Sequence, residues 1–236
     1  MSLSETTYVL VPGAWQGAWA WTPVARRLRA AGARAVTITL PGLGDGDERA
    51  GLRLTDAVDH LVGRVQDLGR TVTLVGHSWG GYVVTGAAHR LGLESVAEVI
   101  YYNAVVPQAG IAMVDENPVY AEMIRSAIAA SPDGTIEVVR EQVPQLLPEG
   151  TAEVQDLFFD LLVPQPGGYF TDALDGSGPG VPARYLLSEN DQALARPGTE
   201  FAARLGLTAT MLSGGHQSML TRPDEVTAAL LKGLES

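Results

Sequence analysis

Short apolar runs recur along the chain, and most are followed by a longer stretch whose apolar positions fall three and four apart. Residues 8–13 (YVLVPG) form the first run, suited to a buried strand and closed by glycine. Residues 21–32 (WTPVARRLRAAG) read as a helix, with Thr22 as its cap, Pro23 in the first turn and Gly32 as the stop. Residues 33–42 (ARAVTITLPG) return to a strand rich in Val, Ile and Thr. Within residues 54–69, Val58, Leu61, Val62, Val65 and Leu68 share one helical face. Residues 71–76 give a third strand, 78–92 a helix closed by Gly92, and 96–107 a fourth strand with a continuation.

Strands that are apolar on both sides and alternate with helices imply a parallel sheet covered on both faces. The rhythm breaks after Pro107. Weak helical stretches follow at 117–130 (NPVYAEMIRSAIAA) and 151–162 (TAEVQDLFFDLL), separated by loops carrying Pro and Gly. Strand–helix order resumes at 183–190, 197–206, 208–215 and 222–235. The expectation is one α/β domain, a mostly parallel sheet of about six strands with helices on both faces. Residues 1–106 and 182–236 would form it, and 107–181 would be an inserted helical cap.

Composition excludes several functions. The formal net charge is −11, from 27 acidic and 16 basic residues, which argues against nucleic acid and anionic membrane as partners. There is no cysteine, so disulfides, thiolate metal sites and a cysteine nucleophile are absent. The first residues carry no basic leader pattern, and no apolar run of 18 residues suggests a membrane span. A cytoplasmic protein is expected. Lys232 is the only lysine, an imbalance that fits genome composition better than function.

The chemistry concentrates at residues 74–81 (LVGHSWGG), where an apolar run stops at Gly76 and Ser78 sits between glycines. Gly76-His77-Ser78-Trp79-Gly80 has the G-x-S-x-G spacing of a nucleophile elbow, in which a tight strand-to-helix turn lifts the serine hydroxyl clear of its neighbours. The following helix favours negative charge near its start. The other reading is a plain serine in a glycine-rich packing turn, and the setting between a Val/Leu strand and a helix favours the elbow.

A serine hydroxyl needs a base. Of the four histidines, His60 lies in an amphipathic helix, His89 lies near a helix end, and His77 diverges from its neighbour Ser78. His216 follows the last strand in LSGGHQSML, in the kind of loop where α/β sheets assemble sites. It is the candidate general base. The base needs a carboxylate behind it, after a strand between Ser78 and His216. Asp191 is the candidate, with Glu189 as competitor, while the fourth strand ends near the neutral Asn103. The Trp79 N–H, one residue after the serine, and the Ala14 N–H, in the loop after the first strand, are candidate oxyanion donors. Gly13 permits close approach of that loop, and Trp15 and Trp19 are either pocket wall or core.

These residues resemble the α/β-hydrolase fold superfamily, and within it the small esterase and hydroxynitrile lyase branch that includes methyl-salicylate-type esterases. The similarity lies in residues 8–21 (YVLVPGAWQGAWAW), 74–81, 188–194 (SENDQAL) and 214–220 (GGHQSML). Pro12 stands where the family commonly has histidine before the oxyanion glycine, which changes loop support more than chemistry. Lyases of the branch carry a threonine in the oxyanion loop and a lysine directly after the catalytic histidine. Here those places hold Gly13 and Gln217, so the resemblance implies ester hydrolysis rather than cyanohydrin cleavage.

The expected protein is a serine hydrolase acting through an acyl-enzyme on a small, mostly apolar ester, with a lactone or thioester as variants. It implies no metal and no organic cofactor. A cyclase or lyase on the same fold and a non-catalytic receptor are the other classes. Gly13, Trp15, Met123, Phe158 and Phe159 are the candidate substrate-binding residues, with Pro118, Tyr169 and Phe170 beside them; the cap aromatics either line a pocket or form the cap's own small core. The oligomeric state is not legible.

Overall fold

A computed structural model describes residues 5–232. The elements run β1 (Thr7–Val11), α1 (Thr22–Ala30), β2 (Arg34–Thr37), α2 (Leu54–Leu68), β3 (Val72–Ser78), α3 (Gly80–Ser95) and β4 (Val96–Ala104). Then come α4 (Pro118–Ala130), β5 (Thr135–Ile136), α5 (Val143–Leu146), α6 (Ala152–Asp160), β6 (Gln165–Pro166) and α7 (Gly168–Thr171). The chain closes with β7 (Ala183–Ser188), α8 (Gly198–Arg204), β8 (Thr210–Leu212), α9 (Ser218–Thr221) and α10 (Pro223–Leu231). The helix expected over 222–235 lies outside the described residues beyond Lys232.

The main sheet has six parallel strands in the order β2-β1-β3-β4-β7-β8. Alternation along the strands divides the core. Val9, Val11, Leu74, Val99 and Tyr101 face α2, α3 and α8, meeting Val58, Leu61, Val65, Val83 and Phe201. Tyr8, Leu10, Val75, Ile100 and Tyr102 face α1, α9 and α10, meeting Trp21, Val24, Leu28, Met219 and Leu230. Both faces are apolar because both are covered.

Local departures from the sequence pattern have physical reasons. Thr22 does not cap α1; Trp21 holds that position, because a 3₁₀ turn over Ala18–Trp21 runs straight into the helix. Helical geometry fails at Gly92 (φ 63°), the expected stop, although helical turns resume to Ser95. β2 is shorter than expected, yet Ile38 still donates to Leu10 at 3.0 Å before the chain leaves the sheet. Residues between β4 and β7 leave the sheet and return to it, since those two strands are neighbours. Within that segment β5 and β6 make a two-residue antiparallel ladder that no sequence pattern announced.

The strand order reverses direction between β1 and β3. From β1 the chain moves to the edge strand β2, and from β3 it moves the other way. In parallel sheets the crevice beyond the carboxyl ends of such strands is the natural place for a ligand. The loop from Pro12 and the turn at Ser78 both leave the sheet there.

Candidate active site

Ser78 ends β3 with φ 53°, a left-handed conformation that is costly for a residue with a side chain. The surrounding glycines explain how the turn fits. A Cβ on Gly76 would lie 2.6 Å from the Val84 side chain, one on Gly80 would lie 2.5 Å from the Pro12 carbonyl oxygen, and one on Gly81 would lie 1.9 Å from the Val105 oxygen. Strand and helix therefore pass closer than any side chain allows, and Ser78 stays partly exposed while its neighbours are buried. Trp79 begins α3, its indole N–H donating to the Tyr169 carbonyl at 2.8 Å and its ring stacked on Tyr169.

The loop after β1 presses against this turn. A Cβ on Gly13 would come within 2.9 Å of Ser78 Cβ and 2.8 Å of His77 Nδ1. Trp15 follows with φ 64° and is held from three sides. Its N–H donates to Gln165 Oε1 at 2.8 Å, its indole donates to the Ile136 carbonyl at 3.0 Å, and its own carbonyl accepts from Val163 at 3.0 Å.

His216 and Asp191 come from the loops after β8 and β7. Nδ1 of His216 faces Asp191 Oδ2 at 2.8 Å, and both side chains are buried. A carboxylate oxygen accepts, so Nδ1 carries a proton. The other Asp191 oxygen accepts from the Ala193 N–H at 2.9 Å. Glu189 is exposed and lies apart from this pair.

Two further side chains brace the histidine loop. His77 Nε2 donates to the His216 carbonyl at 3.0 Å, while its Nδ1 is buried without a partner. Burial, and then the nearby His216 ring, push the His77 ring well below the ordinary histidine value. Asn103, in a left-handed conformation (φ 44°), donates to the carbonyls of Gly215 at 3.3 Å and His216 at 3.1 Å and to Ser188 Oγ at 2.9 Å, and accepts from the Ser188 N–H at 2.7 Å. One neutral amide thus spaces the loop bearing Asp191 from the loop bearing His216.

Ser78 and His216 open on one narrow cleft, lined also by Gly13, Ala14, Trp15, Gln16, His77, Leu146, Leu162 and Gln217. The structure therefore brings together Ser78, His216, Ala14, Gly13 and Trp15, with Asp191 behind His216. It does not bring Met123, Phe158 or Phe159 to this cleft. Met123 is 62% exposed on α4. Phe158 packs with Val143, Leu147 and Trp19, and Phe159 lies under the Arg140 guanidinium. Tyr169 and Phe170 are buried against Trp79 and Trp15. Sequence reasoning missed Leu146, in a helix too short to show a period, and Leu162, just past the end of α6. It also passed over Gln16 and Gln217 as lining residues, although each flanks a motif it had singled out. His60 and His89 do not line the cleft. Among the described residues no group of three or more His, Cys, Asp or Glu side chains is placed to hold a metal ion, and no helix is long and apolar enough to cross a membrane.

A parallel sheet with a strained serine between strand and helix defines a class of protein, and the chain belongs to it: the alpha/beta hydrolase family, whose model matches residues 8–229. Its relatives put it in the esterase branch of that family, of the carboxylesterase type. It is 29% identical to a carbendazim hydrolyzing esterase of Nocardioides sp., over 94% of this chain and 97% of the relative. It is 25% identical to methylesterase 10 of Arabidopsis thaliana, over 94% and 90%. An extracellular alpha/beta-hydrolase from a Paenibacillus species has the same fold, with a TM-score of 0.89 at 20% identity, covering 96% of this chain and 98% of that one.

Proposed function

We propose that the protein hydrolyses a small, mostly apolar carboxylic ester through an acyl-enzyme, with Ser78 as nucleophile, His216 as base and Asp191 as the group that orients it. The Ser78 hydroxyl adds to the ester carbonyl while His216 Nε2 takes its proton. Asp191 keeps the Nδ1 proton in place and stabilises the imidazolium. The backbone N–H groups of Ala14 and Trp79 hold the oxyanion. Collapse expels the alcohol, which takes the proton from His216. Water, deprotonated by the same ring, then releases the acid and restores the serine.

The observation that carries this reading is the 2.8 Å contact between His216 and Asp191 behind the same cleft on which Ser78 opens. Residues 107–181 act as the cap, supplying Leu146 and Leu162 to the wall of the cleft, and these side chains favour an apolar group there. Gln217 beside His216 carries no charge, so a departing cyanide has no cation to meet it. These roles support esters over cyanohydrins.

Ser78→Ala is expected to fold normally and to lose p-nitrophenyl ester turnover by about a thousandfold or more. A fluorophosphonate should add to Ser78 in the wild-type protein, read by peptide mass. Retention of a tenth of the rate, or labelling elsewhere with Ser78 bare, would end this assignment.

A further inference from the structure

Gln16 and Gln217 both line the cleft, both are almost fully buried, and each keeps its Oε1 without a hydrogen-bond partner. Buried polar atoms are nearly always paired, and each unpaired one is costly. Gln165 shows the contrast. Its Oε1 is used by the Trp15 N–H and it does not line the cleft, so its unpartnered Nε2 lies away from the site. His77 Nδ1 is also unpartnered, but the Gly13 backbone lies against it. Gln16 and Gln217 thus keep unpaired acceptor oxygens in residues that form the wall of the cleft. They stand two residues after Ala14 and one after His216.

We propose that Gln16 and Gln217 together read a hydrogen-bond donor, an O–H or N–H, on the acyl part of the ester. This rests on the hydrolytic reading above and narrows its substrate class to esters whose acyl group is small and donor-bearing. A site built to accept from a substrate hydroxyl rejects the analogue that lacks it far more strongly than an apolar pocket rejects a missing methylene.

The test compares kcat/KM for phenyl glycolate, phenyl propionate and phenyl methoxyacetate, each divided by the hydroxide-catalysed rate of the same ester. The wild-type protein should favour glycolate over propionate by at least about tenfold, with methoxyacetate no better than propionate. Gln16→Met and Gln217→Met, checked for folding by circular dichroism, should each shrink that ratio, and together bring it to within about threefold of unity. Should one variant fail to fold, the other and the wild-type comparison still decide. Equal handling of glycolate and propionate overturns the inference and leaves the hydrolytic reading standing. So does a preference that survives both substitutions. Methoxyacetate matching glycolate overturns it too, because the amides would then be presenting donors. Turnover of none of the three esters defeats the hydrolytic reading and the inference with it.

Discussion

His77 lies beneath the serine turn with one ring nitrogen donating and the other bare. Its folded value is depressed below the ordinary 6.5, first by burial and then by His216. Above that pH neither folded nor unfolded chain protonates the ring, and it places no tax on stability. As pH falls through 6.5 the unfolded chain gains a proton that the folded one refuses, so stability drains away until the folded value is reached. The loss approaches about 1.4 kcal/mol one unit below the unfolded value. His77→Gln keeps a donor and removes the titration. The gap between wild type and this variant in urea unfolding should therefore shrink by about that amount between roughly pH 7.5 and roughly pH 5.5. A gap that does not move with pH would show that His77 is not buried neutral. At this scale the sequence offered Asp191, with Glu189 as competitor, just past a strand, and the turn after that strand decides between them. Asp191 lies just past a strand and turns inward, and Glu189, two residues earlier, faces solvent. It was silent on Asn103, which it left as a place without a carboxylate. Its bracing of two loops depends on a separation of 112 and 113 residues that only folding closes.

Among the elements, the elbow was legible because glycine there answers to sterics alone. The second glycine after it was not part of the five-residue pattern, yet it is the tightest. A methyl on Gly81 would overlap the Val105 carbonyl oxygen at 1.9 Å, and that atom belongs to the backbone following β4. Gly81→Ala should cost about 3 kcal/mol or more, measured by chemical denaturation, and should move β3 or β4 enough to slow turnover. A substitution that is neutral would mean the helix and strand are less closely apposed than drawn. The segment between β4 and β7 was far less legible. α5 and α7 have four residues each, too few for a period to show, and β5 and β6 have two. α4 buries no residue fully; Ile124 and Ile128 pack partly against the core while Tyr120 and Met123 stay exposed. Its aromatics and methionine accordingly gave no guide to the cleft.

Across the whole molecule, one buried charge fastens the segment to the sheet domain. Glu116, 1% exposed, takes two hydrogen bonds from Arg204 of α8, at 2.7 and 2.8 Å. Tyr82 of α3 donates to the same carboxylate at 3.4 Å, and Arg204 also donates to the Val106 carbonyl at 2.7 Å. Arg204→Met leaves that carboxylate with only the half-exposed Arg196 guanidinium, 3.4 Å away, and should destabilise by about 3 kcal/mol. The double variant with Glu116→Gln should recover much of the loss, read as the midpoint shift in denaturant. If the single change costs under about 1 kcal/mol, the pair is not a fastening. Trp15 joins the same two parts at the other side, through Ile136, Val163 and Gln165. Any displacement of the insertion would therefore pull on the loop bearing Ala14, the residue proposed to hold the oxyanion. On the proposed mechanism, the tethers that hold the insertion in place would also hold the catalytic loop in its working shape.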